Sequence, residues 1–195
     1  MPEYRRSLLP GGTYFFTLVT NQRRPIFQEE NARHLLREAL TQGARKVGPF
    51  HIDALCLLPD HLHCIWTLPD HDSDYSTRWK VIKAWFSHQY LQKVGTDGLI
   101  TASKIKKGEL GVWQRRFWEH WIRNLDDLDR HRDYIHYNPV KHGLVRSVKE
   151  WPWSTFHRYV QEEFYDLDWG CDEIKIDGIL DVGQVVGSGQ SRKEV

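Results

Sequence analysis

The apolar and polar positions of the first half of the chain alternate between strand and helix periods. The β-branched and aromatic run 13–20 follows Gly11-Gly12 and predicts a first strand. Between Gln28 and Val47 the apolar residues recur at helical spacing, and Gly48-Pro49 ends the pattern. The runs 50–58 and 61–68 resemble strands and are separated by Pro59-Asp60. They predict a hairpin.

The second half continues the same kind of order. A helix is expected from a cap at Ser76 or Thr77 to about Gln92, and the Gly- and Lys-rich stretch 94–111 is expected to be a mobile loop. A short strand is expected within 112–123. Asn124 then caps a helix from 125 to about 137, which we expect Asn138-Pro139 to end. The aromatic segment 151–156 is expected to pack back on the domain.

The order β-α-β-β-α-β-α predicts an α+β fold, a ferredoxin-like sandwich whose antiparallel sheet carries helices mainly on one face. A length of 195 residues with 40% apolar residues suits one domain, which we assign to residues 1–160. Residues 161–195 are acidic and then Gly/Ser-rich, so we expect a partly ordered C-terminal tail.

The cysteine count and the apolar runs bear on location. The three cysteines include no CxxC pair, which is typical of a reducing compartment. No leader-like segment and no apolar run long enough to span a bilayer is present in the sequence. We therefore expect a cytoplasmic protein rather than a membrane protein.

The net charge of +1 hides a separation of charge along the chain. Residues 77–124 contain ten Lys or Arg and three Asp or Glu, whereas 161–181 contain eight acidic residues and one lysine. Tryptophan and phenylalanine are interspersed in the basic stretch. Cationic side chains mixed with aromatic rings favour binding of single-stranded nucleic acid, although each ring can equally belong to the core.

Two pairs of residues can carry chemistry. His61 and His63 are one residue apart at the start of a predicted strand, so both imidazoles point the same way and can hold one divalent cation. Tyr134 and Asn138 are spaced i, i+4 and share one face of a helix. Mg²⁺ or Mn²⁺ bound by the two imidazoles and an amide oxygen can polarise a phosphodiester, which the tyrosine can attack.

Each of these residues has a structural alternative. Histidines on a half-buried strand often only satisfy core polar groups. Tyr137, three residues after Tyr134, is a rival nucleophile, and Asn138 before a proline can cap a helix end. Asp60 can orient a histidine ligand, as carboxylates often do around metal sites. His136 falls on another helix face and is expected to be structural.

The ordered motifs resemble the REP-associated tyrosine transposases of the HUH superfamily. The matching residues are Tyr4-Arg5-Arg6, Gly11-Gly12-Thr13-Tyr14, Leu58-Pro59-Asp60-His61-Leu62-His63, Trp113-Gln114-Arg115-Arg116-Phe117-Trp118-Glu119-His120 and Asp133-Tyr134-Ile135-His136-Tyr137-Asn138-Pro139-Val140-Lys141. The resemblance covers about residues 3–160. HxH alone is a weak signal, but this ordered set is specific.

The resemblance implies roles for individual residues. His61 and His63 would be metal ligands, Asn138 the third ligand, and Tyr134 the nucleophile. The expected activity is cleavage and rejoining of single-stranded DNA beside a short palindromic hairpin, through a 5′-phosphotyrosine and a free 3′-hydroxyl. We expect DNA contacts from the basic side chains Arg5, Arg6, Arg115, Arg116 and Lys141.

A different class of function also fits the sequence. A domesticated protein that grips repeat hairpins without mobilising DNA would need the same basic, aromatic surface but not Tyr134. A two-histidine phosphoesterase is third, because the chain has no second motif equivalent to His61-Leu62-His63. Whether the protein acts as a monomer or a homodimer stays open.

Overall fold

A computed structural model describes residues 8–95 and 110–171 of the chain. Arg5 and Arg6, most of the predicted loop 94–111 and residues 172–195 of the predicted tail lie outside these described residues. In the described part, no helix is both long and apolar enough to cross a membrane.

Four strands form one antiparallel sheet: β1 (Thr13–Val19), β2 (His51–Leu57), β3 (His61–Thr67) and β4 (Trp118–Trp121). Their spatial order is β2-β3-β1-β4. The long helices are α1 (Glu30–Val47), α2 (Tyr75–Val94) and α3 (Leu125–Lys141), and a short helix α4 (Phe156–Gln161) follows. Single 3₁₀ turns occur at Asn21–Arg23, Ile26–Gln28 and Val148–Glu150. The predicted α+β, ferredoxin-like architecture is confirmed.

The two faces of the sheet carry different helices, because successive side chains of a strand alternate in direction. Tyr14, Phe16 and Leu18 of β1 belong to the large core that includes residues of α1 and α2. Phe15 belongs to a second core with Tyr134 and other residues of α3. Two of the three long helices therefore cover one face, as predicted, and α3 covers the other.

The N-terminal cap of α2 differs from the prediction, whereas that of α3 agrees with it. Asp74, rather than Ser76 or Thr77, caps α2: its Oδ1 accepts from the Thr77 N–H at 2.9 Å. Asn124 caps α3 as predicted and accepts from the Asp127 N–H at 2.9 Å.

The predicted end of α3 at Asn138-Pro139 is wrong, because the helix continues to Lys141. Proline inside a helix lacks one N–H, but here Asn138 and Pro139 are both buried and the carbonyls of the last turn are taken. The His142 N–H donates to the Asn138 backbone oxygen at 3.0 Å and the Leu144 N–H to the Pro139 backbone oxygen at 2.9 Å. Burial against the sheet thus outweighs the local preference, and Asn138 stays on the helix face that it shares with Tyr134.

The aromatic segment 151–156 packs back on the domain, as predicted, and covers the outer edge of β2. The Leu57 N–H donates to the Trp153 oxygen at 2.8 Å, and the Thr155 N–H to the Leu55 oxygen at 2.9 Å. Further along, the Tyr165 hydroxyl donates to Asp133 on α3. Ordered packing therefore extends to Tyr165, and the domain boundary at residue 160 stays a prediction.

Candidate active site

The His61 and His63 side chains lie at the start of β3, on the sheet face that α3 covers. The register places His63 opposite Thr17 and His61 opposite Val19 of β1. Both histidines are buried, with 2% and 1% of their surface exposed. Their ring centroids are 4.9 Å apart.

One nitrogen of each imidazole is held by a neighbouring side chain. His61 Nδ1 donates to Asp60 Oδ1 at 2.6 Å, and His63 Nδ1 shares a hydrogen bond of 2.8 Å with Thr17 Oγ1. The opposite nitrogens, Nε2 of His61 and of His63, are buried and make no hydrogen bond. A partner that fixes Nδ1 leaves Nε2 as the nitrogen with a lone pair available to a cation.

The electrostatics of the pair favour neutral imidazole at His63. Burial, and then the neighbouring charges of His61, His142 and Lys141, hold the pKa of His63 well below its usual value. Burial acts to raise the pKa of Asp60, but its hydrogen bond and charge interaction with His61 and the nearby Arg23 outweigh burial and lower it. Neutral imidazole is the form of His63 that can bind a divalent cation.

Arg23 completes the contact to Asp60. Its Nε lies 2.8 Å from Asp60 Oδ2, so the carboxylate joins Arg23 to His61. Gln22 and Arg23 have φ values of 57° and 51°, a left-handed conformation that costs free energy in residues other than glycine. The turn after β1 thus holds a strained backbone that brings the guanidinium to the carboxylate.

Helix α3 brings Tyr134 to the histidines. The Tyr134 ring centroid is 5.2 Å from that of His63, and the side chain is 3% exposed. Lys141 Nζ lies 4.8 Å from the centre of the Tyr134 ring. The rival Tyr137 packs instead in a separate cluster with Val148 and Phe156, away from the histidine pair.

Asn138 lies between two contacts that α3 makes with the histidines. Tyr134, one turn earlier, contacts His63, and His142, one turn later, has its ring centroid 5.4 Å from that of His61. Asn138 is fully buried, and neither its amide oxygen nor its amide nitrogen makes a hydrogen bond. The amide oxygen is therefore available to a ligand.

These three groups fit a divalent cation. A buried polar group without a partner costs about 1–3 kcal/mol, and coordination of a cation by these groups would offset that cost. Two imidazole nitrogens and an amide oxygen suit Mn²⁺ or Mg²⁺. Most other unpaired buried atoms of the described residues are indole or guanidinium N–H donors, such as those of Trp66 and Arg33, which repel a cation.

A second group of possible ligands, His120, Asp127 and His131, lies nearby on β4 and α3, with one ligand atom from each within 4.8 Å of the others. Its atoms already bond to one another: His120 Nε2 donates to Asp127 Oδ2 at 2.9 Å, and His131 Nδ1 donates to the Asp127 backbone oxygen at 2.8 Å. The group therefore serves mainly to tie the first turn of α3 to β4. Sequence reasoning missed it, although Asp127 and His131 have the i, i+4 spacing of helix neighbours.

The residues expected to contact DNA are only partly brought to the site. Lys141 is exposed and lies over Tyr134. Arg115 and Arg116 are exposed on the segment before β4. His142 was not singled out from the sequence, yet it is exposed and contacts His61. Its i, i+4 spacing from Asn138 is a signal that would have found it.

Known proteins are similar to this chain in sequence and fold, although no family model matches it. The REP-associated tyrosine transposase of Escherichia coli K12 is 45% identical over 172 residues, which cover 88% of this chain and 93% of that protein. A Haemophilus influenzae protein that carries the same name provisionally is 42% identical, over 91% of this chain and 99% of its own length. A solved structure of a REP-associated tyrosine transposase bound to a REP hairpin matches with a TM-score of 0.71 and 42% identity, covering 90% of this chain and 96% of that one. With this identity over nearly its whole length, the chain belongs to the family of REP-associated tyrosine transposases.

Proposed function

We propose that this protein is a metal-dependent transposase that cleaves and rejoins single-stranded DNA beside short palindromic hairpins. His61, His63 and Asn138 hold the cation, and Tyr134 is the nucleophile. The observation that carries the proposal is the set of buried, unpaired atoms, Nε2 of both histidines and the Asn138 amide, beside the Tyr134 ring. A solved relative bound to a REP hairpin supports the choice of substrate.

The chain's own residues account for the chemistry of one transfer. A bound divalent cation supplies Lewis-acid polarisation of a phosphodiester oxygen. The Tyr134 phenol oxygen attacks phosphorus and loses its proton, the bond from phosphorus to the 3′ oxygen breaks, and that oxygen takes a proton. The products are a 5′-phosphotyrosine and a free 3′-hydroxyl. Because the phosphodiester energy is kept in the new bond, a second 3′-hydroxyl can reverse the step.

The surroundings of Tyr134 favour this attack. The positive charge of Lys141, 4.8 Å from the ring centre, favours both an incoming phosphate and negative charge developing on the phenol. Packing of the ring against Phe15 and His63, with centroids 6.0 Å and 5.2 Å away, limits its orientation.

The test is incubation of the protein with labelled single-stranded DNA that carries a hairpin, in Mg²⁺ or Mn²⁺. The proposal predicts cleavage beside the hairpin and a protein–DNA adduct that survives denaturation. Tight hairpin binding without cleavage or adduct, under conditions where the protein is folded and metal is bound, would contradict it. That result would favour the domesticated hairpin-binding protein instead.

A further inference from the structure

A cavity of about 310 Å³ lies on the α1 and α2 side of the sheet, between α2 and the segment 110–117 that precedes β4. Its aromatic lining comes from Trp79, Trp113 and Phe117, and its basic lining from Lys80, Lys83 and Arg115. The proposed catalytic residues are on the opposite face and do not line it. Apart from Arg115, which is expected to contact DNA, the lining of the cavity has no part in the function described so far.

The aromatic walls of this cavity are held by packing. Trp113 packs on Phe27 and Phe86, with ring centroids 5.6 Å and 5.2 Å away. Trp79 stacks on Trp66 with centroids 3.9 Å apart. Rings fixed in this way lose little conformational entropy when a planar ligand stacks on them or lies against their edges.

A lysine joins the two sides of the cavity. Lys83 Nζ on α2 donates to the Gln114 backbone oxygen at 2.7 Å. This bond holds the segment 110–117 at a set distance from the helix, so the cavity is preformed. Preformed clefts with an apolar lining and a few polar groups are the usual binding sites of small planar ligands.

The cavity is close to the candidate active site around the edge of the sheet. The Gln114 N–H donates to the Val19 oxygen at 2.9 Å, and Val19 pairs with His61 on its other side. The backbone of Gln114 is thus two inter-strand spacings from that of His61, which is roughly 10 Å. Gln114, which lines the cavity, therefore connects it to the strand that pairs with His61.

We infer that this cavity binds an unpaired nucleotide of the DNA substrate, next to the cleavage site. The base contacts the aromatic lining, and the basic residues attract the phosphates on either side. Aromatic rings together with cations are the combination that binds single-stranded DNA. An apolar peptide would make no favourable charge interaction with the three basic side chains. The inference rests on the proposed function and adds a second contact that selects DNA with a single-stranded flank.

Photo-crosslinking tests the inference directly. Iodouracil is placed in turn at each unpaired position beside the hairpin, the complex is irradiated, and the crosslinked residue is identified by mass spectrometry. We expect one or two adjacent positions to crosslink to Trp113 or Phe117. Crosslinks confined to the α3 face of the sheet, in a protein that binds and cleaves the hairpin, would overturn the inference and leave the proposed function intact.

A variant that fills the cavity gives an independent readout. Ala84 lines the cavity and is exposed, so Ala84→Phe narrows it without disturbing the core. We expect this variant to lose the crosslink and to bind flanked hairpins at least tenfold more weakly, with binding of a flank-free hairpin within twofold of wild type. His88→Phe, exposed on α2 but outside the cavity lining, is the matched control and should change neither.

Two further results of these experiments distinguish failure of the inference from failure of the proposed function. An unchanged crosslink and unchanged affinity in Ala84→Phe would contradict the inference. A wild-type protein that neither binds nor cleaves any hairpin would contradict the proposed function itself, and the inference would fall with it.

Discussion

Asp60 holds His61 by a hydrogen bond of 2.6 Å from Nδ1 to the carboxylate, and so leaves the unpaired Nε2 as the nitrogen that can bind a cation. Arg23 contacts the other carboxylate oxygen at 2.8 Å. His61, the carboxylate that orients it and the arginine that holds this carboxylate form one chain of contacts. We expect the tautomer of His61, and with it the proposed affinity for metal, to depend on that chain.

Asp60→Ala is expected to weaken Mn²⁺ binding about 10- to 100-fold, the usual cost of losing a group that orients a histidine ligand. Asp60→Asn, which keeps an oxygen acceptor, should recover part of the loss. Isothermal titration with Mn²⁺ measures the affinity in the absence of DNA. Asp70→Ala, at an exposed aspartate outside the site, is the control. Equal affinities for wild type and Asp60→Ala would show that Asp60 has no such role.

Asn138→Leu is expected to leave the metal-free protein as stable as wild type, or about 1 kcal/mol more stable, because it replaces a buried unpaired amide by an apolar group of similar size. The stabilisation by added Mn²⁺ should shrink, since a ligand is gone. Urea unfolding with and without Mn²⁺ measures both effects.

The helix cap supplies the control for this prediction. Asn124→Ala should lose about 1 kcal/mol through the missing cap yet keep the full Mn²⁺ effect. If Asn138→Leu also keeps the full Mn²⁺ effect, Asn138 is not a ligand.

The two histidine groups should differ in their effect on metal binding. His63→Asn is expected to lower Mn²⁺ affinity at least tenfold, because it removes an unpaired Nε2. His120→Asn should change it less than twofold, because His120 Nε2 is already bonded to Asp127. Mn²⁺ titration of both variants, with their folding checked by circular dichroism, makes the comparison. The opposite ranking would move the metal site to His120, Asp127 and His131.

Stability should fall as the pH drops below about 6.5, in part through His131. Burial has the largest effect and lowers the pKa of His131; the charges of His120 and Arg130 lower it further, and the hydrogen bond and charge of Asp127 only partly oppose this. Below about pH 6.5 the unfolded chain therefore binds a proton that the folded protein does not. Stability from this group is therefore present above the unfolded pKa and lost on acidification, by up to about 1 kcal/mol at pH 5.5.

His131→Gln removes this contribution. Urea unfolding at pH 7.5 and pH 5.5 should show a smaller loss of stability in the variant than in the wild type. An equal or larger loss in the variant would contradict the assigned direction of the pKa.

The sequence alone predicts most of the fold but only part of the site. The strand and helix periods predict β1, α1, the hairpin of β2 and β3, and α3. The two helices have apolar residues at helical spacing, and the strands are β-branched and aromatic runs bounded by turn residues. The predicted end of α3 is wrong, because burial of Asn138 and Pro139 is a tertiary effect that local proline rules do not include. Prediction of such a site from one sequence is limited to neighbours on one strand or helix.

The same limit explains which site residues were found. His61 with His63, and Tyr134 with Asn138, are each spaced within one element, and the resemblance joined the two pairs. Arg23 meets Asp60 through a left-handed turn, and this contact has no signature in the local sequence. His142 meets His61 across two elements, and only its i, i+4 spacing from Asn138 points to it. The cavity beside Trp113 needs α2 and the segment before β4 together, and periodicity places neither against the other.

The central claim is that Tyr134 is the nucleophile, and identification of the tyrosine in the protein–DNA adduct tests it most directly. The adduct formed with hairpin DNA and Mn²⁺ is digested, and the DNA-linked peptide is sequenced by mass spectrometry. We expect linkage at Tyr134, no adduct with Tyr134→Phe, and a normal adduct with Tyr137→Phe. Linkage at Tyr137, or an undiminished adduct in Tyr134→Phe, would contradict it.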